Sequence, residues 1–103
     1  MQFVIIGAGR VGLRTARVLR DEGHETTLVE RDEQRIKRAQ NQDFPVIEGD
    51  GSREPILEEA GVMDADAVGA LTSDLNVNFT ACMIGNHYGC RTVMRIDEAY
   101  REG

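Results

Sequence analysis

Short apolar runs alternate with amphipathic stretches along this chain, and glycines punctuate the joins. Phe3-Val4-Ile5-Ile6 is a continuous apolar run, the pattern of a strand buried on both faces. Gly7 to Gly12 turns the chain. Val11 to Glu22 predicts a helix, with Gly12, Thr15, Ala16 and Leu19 on one face and Arg14, Arg17, Arg20 and Asp21 elsewhere. Gly23 supplies a left-handed helix stop. Thr26 to Val29 predicts a second strand, favoured by its β-branched residues. Residues 33–41 suit a polar helix. Phe44 to Ile47 predicts a third strand, and Pro45, which lacks an N–H, puts the strand at a sheet edge or at its own start.

The same alternation continues to the end of the chain. Gly49-Asp50-Gly51-Ser52 reads as a loop whose Ser52 caps a helix running to about Ala60, with Pro55 in the first turn and Gly61 as the stop. Ala67 to Leu71 predicts a fourth strand. Thr72-Ser73-Asp74 leads into a long helix from Leu75 to Tyr88, ended by Gly89. Thr92 to Ile96 predicts a fifth strand, and the last seven residues carry no element. Strands alternating with helices imply a parallel sheet with helices on both faces. The expectation is an α/β, Rossmann-like, doubly wound sheet in the order 3-2-1-4-5, truncated after strand five. The expectation from a length of 103 residues is one nucleotide-binding domain over residues 1–103.

Charge narrows the partners. The net charge is −6, with most of the excess acid after residue 50. That argues against a nucleic-acid binder, which needs basic surface, and against direct docking on anionic lipid. No apolar run approaches the length of a membrane span, and no secretory leader opens the chain, so the expectation is a cytoplasmic domain without membrane insertion. Cys82 and Cys90 form no metal-ligand pattern, and His24 and His87 lie in different segments without a nucleophilic partner. No catalytic residue and no metal site are expected.

Gly7-Ala8-Gly9-Arg10-Val11-Gly12 fits GxGxxG, between a strand and a helix. Gly7 permits the tight turn, Gly9 lets backbone approach a pyrophosphate, and Gly12 permits close helix packing. The helix N-terminus then offers free N–H groups and a positive dipole end to phosphates, with Arg10 and Val11 in its first turn. Arg10 is unfavourable beside that dipole and makes sense with a phosphate nearby. Glu30 ends the second strand, 18 residues after Gly12. An acid there accepts from ribose hydroxyls and repels a 2′-phosphate, which favours NAD over NADP, although Arg31 could serve a 2′-phosphate. Asp50-Gly51-Ser52 and Leu71-Thr72-Ser73 follow strands three and four, where ligands bind in open α/β sheets.

FVIIGAGRVG, EGHETTLVERD, VIEGDGS, LEEAGVMDADAVGALTSD, VNF and MRI together resemble the N-terminal nucleotide-binding domain of Trk-type potassium uptake regulators. This is the domain family of the RCK, or KTN, modules of potassium channels and transporters. The resemblance implies a cytosolic domain that binds NAD(H), or ATP/ADP in some members, and relays that binding to a membrane potassium transporter or channel. It implies that Arg10 contacts phosphate and Glu30 the ribose. Asp50, Gly51 and Ser52 would line the adenine side, and Thr72, Ser73 and Asn78 the far side, with Arg95 nearby. The family often has Asp where Glu30 stands.

Residues 75–90 contain no Asp, Glu, Lys or Arg. Asn78, Ala81, Cys82 and Gly85 make one face suited to the sheet, and Phe79, Met83 and Asn86 make another. A surface helix normally carries charge outside, so a second apolar face points to a homo-oligomer, a dimer or ring, through helix 75–88. The family resemblance implies the same assembly. The alternative to a regulatory domain is the cofactor-binding fragment of an NAD-dependent oxidoreductase, since the fold hosts both. Against it stands the lack of a substrate domain and of a His, Lys or Tyr motif after strands four and five.

Overall fold

In the computed structural model, which describes residues 1–97, five parallel strands form one sheet in the order β3-β2-β1-β4-β5. The strands are β1 (Gln2–Ile6), β2 (Glu25–Glu30), β3 (Val46–Glu48), β4 (Ala67–Ala70) and β5 (Arg91–Met94). The helices are α1 (Arg10–Asp21), α2 (Glu33–Asn41), α3 (Glu54–Glu59) and α4 (Leu75–His87), and a single 3-10 turn (Val62–Asp64) precedes β4. The expected class and strand order hold.

β1 is the central strand, and its side chains divide by parity. Val4 and Ile6 enter one core with Leu57 and Ala60 from the α3 side and Ala81 of α4. Ile5 enters the other with Leu13 and Ala16 of α1 and Ala39 of α2. An apolar residue at every position is what a strand covered on both faces requires. β1 pairs with β2 and with β4, so Ile6 stands between Val29 and Ala70. Reversal of strand order on either side of β1 opens a crevice beyond its carboxyl end, where ligands bind in doubly wound sheets.

Several boundaries differ from the pattern, each for a local reason. Leu13 belongs to the buried face of α1, since a helical stripe is wide enough to take i+1 beside Gly12. β3 begins after Pro45, whose carbonyl accepts from Leu28 N–H while its nitrogen has nothing to donate. Ser52 does not cap α3: the cap residue is Arg53, without a side-chain bond, because the Ser52 hydroxyl donates to Asp50 at 2.7 Å. α4 is capped instead by Asp74, which accepts from Asn76 and Val77 N–H. β5 runs from Arg91 and ends at Met94. Of the last seven residues, only Asp97 lies among those described.

Candidate functional site

The carboxyl ends of β1, β2 and β4 surround an open cleft of about 550 Å³, a size suited to small-molecule ligands. Its floor is the glycine turn. Gly7 adopts a φ of +102°, a conformation that side chains rarely tolerate. A Cβ on Gly12 would lie 1.8 Å from the Gly7 carbonyl oxygen. No side chain fits there, and α1 therefore presses directly against the turn. Gly9 differs: its φ of −79° is ordinary, and a Cβ would meet nothing closer than Arg35, at 3.6 Å. Its hydrogen leaves the backbone open toward the cleft.

Gly9 is the N-cap residue of α1 and caps it with no side chain, and no acid sits in the first turn. The first N–H groups of the helix thus face the cleft mouth without a side-chain acceptor. Arg10, Arg31, Arg35 and Arg95 line the same cleft. Arg31 lies 3.6 Å from Asp50, and Arg95 bonds Asp97 at 3.1 Å. Among the described residues, Arg10 and Arg35 have no carboxylate within ion-pair distance. In a protein of net charge −6, this is a local positive end aimed at a cavity, the electrostatics an anion needs. The cradle, the uncapped helix and the spare guanidiniums fit a pyrophosphate.

Glu30 is 9% exposed and turned toward the glycine loop. Its Oε1 accepts from Ala8 N–H at 2.8 Å. Its Oε2 accepts from Arg31 N–H at 2.8 Å and from Asp32 N–H at 3.0 Å. One carboxylate thus ties the β1 turn to the end of β2, and each oxygen keeps acceptor capacity beyond these bonds. Glu30 lines the cleft as well, so holding the turn and accepting a ribose hydroxyl are compatible.

The β4 side is built around Asn78. This side chain is 1% exposed and lies behind the cleft wall. Its Oδ1 accepts from the Thr72 N–H at 3.0 Å and the Thr72 hydroxyl at 2.6 Å. Its Nδ2 donates to the Thr72 carbonyl at 2.9 Å and the Arg95 carbonyl at 3.0 Å. All four capacities of the amide are used. Asn78 therefore positions the loop after β4 and fastens it to the end of β5.

Of the residues singled out from the sequence, Gly7, Gly9, Arg10, Val11, Glu30, Arg31, Gly51, Leu71, Thr72, Ser73 and Arg95 line this cleft. Gly12 and Asn78 stand behind it. Asp50 lines a neighbouring hollow with Arg31 and Arg53, and Ser52 serves Asp50. The Ser52 hydroxyl and N–H, aided by Arg31 and Arg53, hold the Asp50 carboxyl below its ordinary range. Arg35, Asp74 and Val77 also line the cleft and were not anticipated. Arg35 follows the α2 cap residue Asp32 by three positions, a spacing that turns its side chain back over Gly9.

Residues 3–102 match the family model of the TrkA-N domain. A "Trk system potassium uptake protein TrkA homolog" of Pyrococcus abyssi is 36% identical over 101 residues, which are 95% of this chain and 44% of that protein. The "Trk system potassium uptake protein TrkA" of Haemophilus influenzae is 35% identical over 86 residues, 82% of this chain and 19% of that protein. The chain thus spans less than half the length of these relatives. Among solved structures, the NAD(P)-binding domain of an exopolyphosphatase-related protein from Archaeoglobus fulgidus superposes with a TM-score of 0.81. It is 17% identical, over 97% of this chain and 76% of that one. The AMP-bound Kef C-terminal domain of Shewanella denitrificans superposes at 0.76 with 20% identity, over 91% and 57%. At these identities the superpositions speak for the fold alone.

Proposed function

This chain belongs to the TrkA-N domain family, and from that premise we propose that it is a nucleotide-binding regulatory domain. It reads NAD(H) or ATP/ADP and controls a membrane potassium transporter or channel. The observation that carries the reading is the cleft itself: an α1 N-terminus without a side-chain cap, a glycine floor, and Arg10 and Arg35, which have no carboxylate within ion-pair distance among the described residues, around one cavity. The α1 N–H groups and Arg10 would hold the phosphates, and Glu30 the adenosine ribose. Asp50, Gly51 and Ser52 would flank the adenine, and Leu71, Thr72 and Ser73, carried by Asn78 and Arg95, the far part of the ligand. Glu30 disfavours a 2′-phosphate, and Arg31 is engaged with Asp50, so NAD(H) is favoured over NADP(H).

We read the domain as a binding module, not an enzyme. Thr72, Ser73 and Val77 on the β4 side of the cleft suit holding a ligand, and the carboxylate of Asp74 is committed to capping α4. Regulation follows if the nucleotide has different affinities for two packings of subunits. Phe79 and Met83 stand exposed on α4, and the proposed homo-oligomer, a dimer or ring, packs through helix 75–88. The domain works at the cytoplasmic side, reaching the membrane through its transporter partner, and no helix among the described residues is long and apolar enough to span one.

Calorimetric titration of the chain with NADH, NAD, ATP, ADP and NADPH tests this reading. Saturable binding of NAD(H) or ATP/ADP, without turnover of added alcohols or hydroxy acids, is expected. Oxidation of such substrates at enzymatic rates would favour the oxidoreductase reading, and no binding by any nucleotide would refute the sensor.

A further inference from the structure

A further concavity, of about 240 Å³, runs along the outer side of α1 toward the end of α2. Arg10, Arg14, Arg17 and Arg38 line it, with Gly9, Leu13 and Gln42, and among the described residues no carboxylate does. Arg17 donates to the Gln42 side chain at 3.2 Å. Among the described residues, none of the four guanidiniums has a carboxylate within ion-pair distance. The cluster is not what composition alone would give, since acids outnumber bases 18 to 12 in this chain.

Helix physics makes the arrangement unfavourable in isolation. Arg10 and Arg14 stand at i, i+4, and Arg14 and Arg17 at i, i+3, neighbouring positions on the helix surface where like charges are destabilising. Arg10 also opposes the dipole at the α1 N-terminus. Four positive groups around one hollow focus the field there. A bound anion removes each of these penalties at once, and guanidinium forks match phosphate oxygens in pairs.

We propose that the groove between α1 and α2 is a second anion site, adjoining the nucleotide cleft at Gly9 and Arg10, for a ligand carrying several phosphates. The hollow is short and concave, which suits a compact polyphosphate group better than an extended acidic peptide. Arg14, Arg17 and Arg38 line the groove and not the cleft, so the proposal does not depend on the nucleotide reading. Arg10 lines both cavities, so occupancy of the groove should weaken phosphate binding in the cleft.

The test is titration of the chain with inorganic tripolyphosphate, beside cosedimentation with phosphatidylglycerol vesicles. The variant is Arg14→Gln/Arg17→Gln/Arg38→Gln, whose three positions are exposed and lie outside the nucleotide cleft. Saturable tripolyphosphate binding, weakened about tenfold or more in the variant with thermal stability and NADH binding unchanged, is the expected result. Vesicle binding that the variant abolishes, without tripolyphosphate binding, would assign the same site to a lipid headgroup. The proposal is overturned if neither probe binds, if the variant binds both as the parent does, or if a polyglutamate peptide binds in their place.

Discussion

Replacing Glu30 by Gln keeps the shape of the side chain and removes its acceptor-only character. In the native chain three backbone N–H groups converge on the carboxylate. One belongs to Ala8, which is fully buried. A glutamine has one acceptor atom, so it can serve Ala8 or the Arg31–Asp32 pair, but not both. Its NH2 then faces a donor. The Arg31 and Asp32 groups are only part-buried and recover some bonding from water, whereas Ala8 does not. Charged-acceptor bonds contribute roughly 1.5–3 kcal/mol each, and an orphaned buried donor costs about 1–3 kcal/mol. Allowing for relaxation, the net loss is about 2–3 kcal/mol. For a domain of this size that lowers the melting temperature by about 10–20 °C. Thermal denaturation followed by circular dichroism measures it. A Glu30→Gln protein melting within about 2 °C of the parent would show that the carboxylate does not hold the turn.

Gly9→Val should leave the fold intact, because Gly9 has an ordinary φ and room for a Cβ. The same change should abolish nucleotide binding by filling the approach to the α1 N-terminus; since Val is a poorer N-cap than Gly, a melting temperature lowered by about 5 °C with all calorimetric heat lost is the expected pair. Asn78→Ala removes four hydrogen bonds from a buried site and should cost about 2–4 kcal/mol. Hydrogen exchange should speed up at Thr72 and Arg95 before it does at β1. Tyr88, just past the end of α4, shares its single hydroxyl proton between Glu54 and Glu58 of α3, at 2.8 and 2.9 Å, and these carboxylates push its pKa above the ordinary phenol value. A raised acid pKa stabilises the fold fully below the unfolded value of about 10 and less as pH climbs beyond it. Stability of the parent should therefore fall more steeply above that pH than stability of Tyr88→Phe.

The sheet order and the glycine turn were legible because local rules agree with the tertiary result. An apolar residue at every position from Phe3 to Ile6, GxGxxG after it and an acid closing β2 each point to the same fold. Residues whose role depends on a distant partner were not. Asn78 reads as a face of a helix, yet its work is done through Thr72 and Arg95, six and seventeen residues away. Ser52 looks like a helix cap because capping and Asx-type turns use the same hydroxyl chemistry, and the competition with Asp50 is decided only by the loop geometry. Arg35 escaped notice because nothing in the α2 pattern tells which arginine reaches the cleft. The arginine groove is similarly hidden, since it forms only when α1 and α2 pack side by side.

The central claim is that a nucleotide lies with its phosphates on the N-terminus of α1. Amide chemical shifts followed by two-dimensional NMR during an NADH titration, repeated with ATP, address it directly. Large saturable shifts are expected at Gly9, Arg10, Val11 and Gly12, with further shifts at Arg31 and Thr72. Binding that leaves those amides unmoved, or moves only residues at the opposite end of the sheet, would contradict it.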